Sequence, residues 1–164
     1  MELTKKQEEG LKEALRRHRN NEHYTVISGY AGTGKSTLVR FIIEALDVDE
    51  NEVAYCAYTG KAADVLRKKG NKNSMTLHRL LYDSIPRPGG GFLRIPKKRL
   101  DYKIIVVDEV SMISKTMIDL LLSYKVYILF LGDPFQLPQI DKNEEHDLLV
   151  KPHVFLDEIM RQAQ

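Results

Sequence analysis

A lysine and two hydroxyls close a run of spaced glycines, Gly29-Tyr-Ala-Gly32-Thr33-Gly34-Lys35-Ser36-Thr37. Glycines at this spacing let backbone N–H groups point at an anion with no Cβ in the way. A helix that begins where the run ends adds roughly half a positive charge facing the same point. A lysine there reaches the outer phosphates of a nucleotide, and the serine hydroxyl offers a ligand to Mg²⁺. A second cluster, Asp108-Glu109, ends the apolar run Ile104–Val107. Beside a phosphate loop, Asp108 is placed to hold Mg²⁺ together with Ser36. Glu109 is placed to orient and deprotonate an attacking water. Gln136, in Gly132-Asp-Pro-Phe-Gln-Leu-Pro138, is a third candidate, able to sense a terminal phosphate or its water. The other reading of Gln136 is an exposed loop amide.

These groups need elements that hold them. The β-branched run at Tyr24–Ile27 leads into the glycines, and Leu38, Val39, Phe41, Ile42, Ile43 and Leu46 follow at helical spacing. This is the strand–loop–helix context that a phosphate loop requires. Strand-like runs at 24–27, 53–59, 104–107, 127–131 and 154–156 alternate with helical stretches. That alternation predicts an α/β fold, a right-handed parallel sheet with helices on both faces. Ligands of such sheets bind at the C-terminal ends of the strands.

The remaining stretches fit this frame. Residues 4–18 read as an amphipathic helix, and Thr4-x-x-Gln7 fits a capping box. Gln7 has a second reading, recognition of adenine, because an amide pairs with a donor and an acceptor on one base edge. Thr59 and Lys61 fall at the end of a strand, before a helix running to about Lys69. Residues 76–83 read as a short helix capped by Thr76, in which His78 either contacts a phosphate or base or packs as a partly buried side chain. Three prolines and three consecutive glycines exclude a helix over 84–100. A projecting hairpin or loop is expected there, with Phe92 among Arg87, Arg94, Lys97, Lys98 and Arg99. An aromatic among cations suits single-stranded nucleic acid, where bases stack and phosphates pair with charge. The alternative is that Phe92 anchors the loop onto the domain.

The 164 residues make one domain or part of a larger protein, and 43% hydrophobic content suffices for a core. The single cysteine, Cys56, excludes an internal disulfide and a Cys-rich zinc site. It reads as a small buried hydrophobe. The N-terminus is charged from its second residue and no apolar run reaches membrane-spanning length, so the cytosol is the expected compartment and no membrane partner is expected. Net charge is +2, but residues 61–103 hold 12 Lys/Arg against 3 Asp/Glu. That basic segment suits a polyanion; the alternative is solvated surface.

Several loops in fixed order resemble one family, the superfamily 1 DNA helicases, in the branch holding the RecD-like and Dda-like enzymes. The resemblance is to their N-terminal, RecA-like motor lobe and covers nearly the whole chain. GYAGTGKST resembles motif I, AYTGKAA (57–63) motif Ia, TLHRLL (76–81) motif Ib and VVDEVSM (106–112) motif II. GDPFQLPQI (132–140) is similar to motif III and LDEIMRQ (156–162) to motif IV.

The resemblance implies a motor that hydrolyses ATP with Mg²⁺ while stepping 5′ to 3′ along single-stranded DNA and opening a fork. Gly29, Gly32, Thr33, Gly34, Lys35, Ser36 and Thr37 then bind nucleotide, and Gln7 reads adenine as well as capping its helix. Thr59, Lys61, Thr76 and His78 touch the DNA backbone. Arg161 approaches the γ-phosphate; such arginines contribute on the order of 10³–10⁵ in rate. The hairpin at 84–100 separates strands, with Phe92 as wedge. The family also needs a second motor lobe, which no residue after Arg161 supplies. The chain is therefore expected to be a fragment, single-lobed over 1–164, with oligomeric state open. The rival reading is a stand-alone module that binds nucleotide and DNA without motor work.

Overall fold

The computed structural model describes residues 2–136 and 141–158. Helix α1 (Lys5–Arg19) starts in the expected capping box: the Thr4 hydroxyl accepts from the Gln7 N–H at 3.2 Å, and the Thr4 N–H donates to Gln7 Oε1 at 2.9 Å. After it come β1 (Tyr24–Gly29), α2 (Lys35–Ala45), β2 (Val53–Ala57), α3 (Gly60–Lys68), β3 (Ser74–Thr76) and α4 (Leu77–Leu81). Then follow β4 (Tyr82–Pro86), β5 (Phe92–Pro96), β6 (Ile104–Val107), α5 (Lys115–Ser123), β7 (Tyr127–Gly132) and β8 (Val154–Leu156).

Six strands form one sheet in the order β3-β2-β6-β7-β1-β8, and every pairing is parallel. Successive side chains of a strand point to opposite faces, and both faces here are buried. Val26, Ile105, Val107, Ile128 and Phe130 pack with Leu77, Leu80 and Leu81 of α4 and Met117, Ile118 and Leu121 of α5. Their immediate neighbours Ile27, Ile104, Val106, Leu129 and Leu131 pack on the other face with Ala14 of α1 and Leu38, Val39 and Ile42 of α2. Burial on both faces is why these strands read as continuous apolar runs. Cys56 lies fully buried in β2, where burial pushes its thiol up to about 12. Among the described residues no helix is long and apolar enough to cross a membrane.

The α/β architecture and the hairpin match the expectation, with two differences. The sheet gains a sixth strand, β3, at its edge. Three residues with polar ends carry too little hydrophobic pattern to announce it. The expected helix over 76–83 is shorter, and the hairpin expected over 84–100 starts earlier, because Tyr82 leaves α4 to pair with Pro96. The Lys97 N–H then donates to the Leu81 carbonyl at 2.8 Å and closes the hairpin base. Residues 98–100 lie outside both strands. Most of the motif IV-like stretch at 156–162 falls beyond the described residues.

Candidate functional site

Because the six strands run parallel, their C-terminal ends share one edge. Across the neighbours β6-β7-β1 that edge presents, in order, Asp108 and Glu109, then Asp133, then the glycine loop.

The loop is built around space and handedness. A Cβ on Gly29 would stand 2.5 Å from Thr33 Oγ1 and 2.8 Å from the Leu156 carbonyl oxygen, so no larger residue fits. Gly32 (φ 78°) and Gly34 (φ 85°) take left-handed backbone that side chains resist. The Thr33 hydroxyl, buried, donates to the Tyr30 carbonyl at 2.7 Å. Gln7 is 1% exposed, and its Nε2 donates to the Gly34 carbonyl at 3.2 Å, tying α1 to the loop. Lys35 Nζ donates to the carbonyls of Gly29 at 2.5 Å and Tyr30 at 3.1 Å. Burial lowers the Lys35 pKa, opposed by Asp133 and then Asp108, whose charges reach it across the edge. Ser36 and Thr37 lie in the first turn of α2, with Ser36 exposed.

At the end of β6, Asp108 Oδ1 accepts the Glu109 N–H at 2.8 Å. Glu109 itself is left-handed, with φ 51° and ψ 50°. For a residue with a Cβ this costs about 1–2 kcal/mol, and strain of this kind gathers at functional sites. Burial first, and the Asp108 charge second, hold the Glu109 carboxyl above the usual carboxylate range. One carboxylate thus fixes the backbone while the other is kept more basic, which suits a proton acceptor. A loop turned by Gly29, Gly32 and Gly34, the Lys35 ammonium beside it and a carboxylate opposite fit a nucleotide phosphate tail with Mg²⁺.

Gln136 lies on a turn after β7. The Asp133 carboxylate accepts the Phe135 N–H at 2.9 Å, and the Gln136 N–H donates to the Asp133 carbonyl at 3.1 Å. The Phe135 ring stacks on Tyr30 of the glycine loop, centroids 4.8 Å apart and planes 14° from parallel. Gln136 is exposed. Leu137 to Ile140 and Arg161 lie outside the described residues.

A second group occupies the β2 and β3 end of the same edge. Thr59 caps α3, accepting from the Ala62 N–H at 3.1 Å, and Thr76 caps α4, accepting from Arg79 at 3.2 Å. Lys61 is exposed. The His78 ring lies 5.8 Å from that of Tyr58 and 6.1 Å from that of Tyr82; burial, then Arg94, lowers its pKa. Phe92 is 70% exposed on β5. It therefore does not anchor the hairpin to the domain. Sequence reasoning passed over Tyr58, Asp133 and the Phe135–Tyr30 stack. Asp133 had a signal, an acid directly after a buried strand; the stack had none.

A family model described as an AAA domain matches residues 2–164. The chain belongs to the AAA-domain family. Within it, this AAA domain groups with the RecD-like and Dda-like helicases. It is 34% identical over 143 residues to the ATP-dependent RecD2 DNA helicase of Deinococcus radiodurans, a match spanning 84% of this chain and 19% of that protein. It is 29% identical over 150 residues to the ATP-dependent DNA helicase dda of Enterobacteria phage T4, spanning 87% of this chain and 34% of that protein. The structure of Bacteroides sp Pif1 in complex with ADP-AlF4 superposes with a TM-score of 0.65 at 22% identity, over 100% of this chain and 44% of that one. That likeness is one of fold. The AAA domain spans less than half the length of each of these relatives.

Proposed function

We propose that this AAA domain is the N-terminal ATPase lobe of a helicase that moves 5′ to 3′ on single-stranded DNA and opens a fork. The observation that carries the reading is Glu109, left-handed and bonded through its N–H to Asp108 at the sheet edge that also carries the glycine loop.

In this reading the N–H groups of Gly32, Thr33, Gly34, Lys35, Ser36 and Thr37 bind the phosphates of ATP. Ser36 and Asp108 would hold Mg²⁺, which would supply positive charge to the phosphate oxygens. Lys35 gives up its loop carbonyls for the outer phosphates. Glu109 takes a proton from the attacking water at its carboxylate, and Gln136 orients that water. Arg161 approaches the γ-phosphate from the segment after β8. Gln7 reads adenine with the amide that also ties α1 to the loop. Thr59, Lys61, Thr76 and His78 follow a DNA backbone along the β2–β3 end of the edge, and Phe92 wedges between strands. A second motor lobe closing over this edge completes the site and converts turnover into steps.

The test is ATP hydrolysis by the full-length protein, with and without single-stranded DNA, for wild type and Glu109→Gln. DNA-stimulated turnover that vanishes in Glu109→Gln, with ATP binding retained, is expected. Normal turnover by the variant would remove Glu109 as the base. The 164-residue lobe alone is expected to show little DNA-stimulated turnover.

A further inference from the structure

Residues 141–150 lead toward β8 and lie against the turn that carries Glu109. His146 Nε2 sits 2.7 Å from the Val110 carbonyl oxygen, and His146 Nδ1 sits 3.3 Å from the Leu148 backbone nitrogen. A backbone N–H only donates, so Nδ1 accepts. The proton of the neutral ring is then on Nε2, which donates to Val110. Both ring nitrogens are engaged, and the ring bridges this segment to the residue directly after Glu109. Two further contacts seat the segment. The Glu144 carboxylate accepts from the Thr116 N–H at 3.2 Å and the Thr116 hydroxyl at 2.8 Å, in the first turn of α5. A Cβ on Gly132 would stand 2.7 Å from Leu149 and 2.9 Å from Val110, so the segment packs where the Gln136 loop begins.

Glu109 is therefore held from both sides. Asp108 takes its N–H, and His146 takes the carbonyl of the next residue. A left-handed residue bearing a Cβ persists only where its surroundings over-determine it. We propose that His146 is a positioning residue that keeps Glu109 aimed at the attacking water. The proposal rests on Glu109 being the base. His146 acts on Glu109 through the Val110 peptide that it holds. Its signature is therefore a loss of rate without a loss of nucleotide affinity.

The experiment compares steady-state ATP hydrolysis by the full-length protein with DNA present. His146→Ala should lower kcat roughly 10- to 100-fold, the scale of a misaimed catalytic group. The KM for ATP should stay within about twofold of wild type. His146→Gln should recover most of the rate, because its amide nitrogen reaches the position of Nε2. His146→Asn should not, because its amide lies nearer the other ring nitrogen. This Gln–Asn pair carries the comparison if the alanine variant does not fold. Adding His146→Ala to Glu109→Gln should slow turnover no further. Wild-type kcat in His146→Ala, beside an inactive Glu109→Gln, would overturn the positioning role alone. Equal losses in the Gln and Asn variants would also overturn it and make the ring a packing group. Normal turnover in Glu109→Gln would instead overturn the base assignment and this proposal with it.

Discussion

The glycine loop at 29–34 and the hairpin β4–β5 are both glycine turns flanked by cations, yet they use glycine differently. At Gly29 a Cβ would collide with Thr33 and Leu156, whereas a Cβ on Gly89, Gly90 or Gly91 would meet nothing within 4 Å. The hairpin glycines are needed for their left-handed backbone alone (φ 95°, 111° and 79°). In the first region Lys35, Thr33 and Gln7 each bond to a loop carbonyl. In the second, every residue from 83 to 96 is exposed. A site for chemistry is preorganised by crowding, so that groups need not rearrange when charge develops. A surface for a long flexible polyanion needs reach and charge, and tolerates freedom.

That contrast predicts graded responses to substitution. The largest is Glu109→Gln, expected to lower kcat by about 10²–10⁴-fold with nucleotide binding retained, read by single-turnover hydrolysis beside equilibrium binding. Next is Lys35→Ala, which removes a charge-assisted bond of about 1.5–3 kcal/mol and should weaken ATP binding by roughly 10- to 100-fold in calorimetry. Unchanged affinity would mean that Lys35 does not hold the phosphates. Gly29→Ala should destabilise the fold by about 1–3 kcal/mol and impair ATP binding, as overpacking does. Gly90→Ala should leave ATP binding alone; if both glycines behave alike in thermal melts and binding, the two regions are not built differently. Replacing Lys97, Lys98 and Arg99 together should reduce the slope of log K against log salt for single-stranded DNA by up to about 2, with ATP affinity unaffected. The smallest thermodynamic effect belongs to Phe92→Ala. Stability should move by less than about 0.5 kcal/mol, while unwinding of a forked duplex falls and hydrolysis on single strands does not.

The same contrast separates what was legible in the sequence from what was not. The strands at 24–29, 104–107 and 127–132 announce themselves because both faces are buried, so each carries an unbroken apolar stretch, Val26–Ile27, Ile104–Val107 and Ile128–Leu131. The glycine loop is legible because its backbone demands particular residues. The strand at 74–76 is not, since an edge strand of three residues has no room for a pattern. Gln7 is half legible: its cap is local, but its bond to Gly34 spans 27 residues. Asp133 acts on Lys35 only because β7 lies between β6 and β1, an order no local pattern encodes. His146 stands 36 residues from the carbonyl it grips. Local chemistry is written in neighbouring residues, whereas support for the chemistry is written in the topology.

Cys56 has a practical consequence. It is the single sulfhydryl among these 164 residues, fully buried, and held as a thiol by its surroundings. Maleimides and disulfide reagents attack thiolates, so this lobe is in effect chemically silent toward them. A cysteine introduced at the tip of the hairpin would be the only reactive handle on the lobe. A fluorophore or spin label there would report whether the hairpin approaches added single-stranded DNA, without stripping the native cysteine from the sheet.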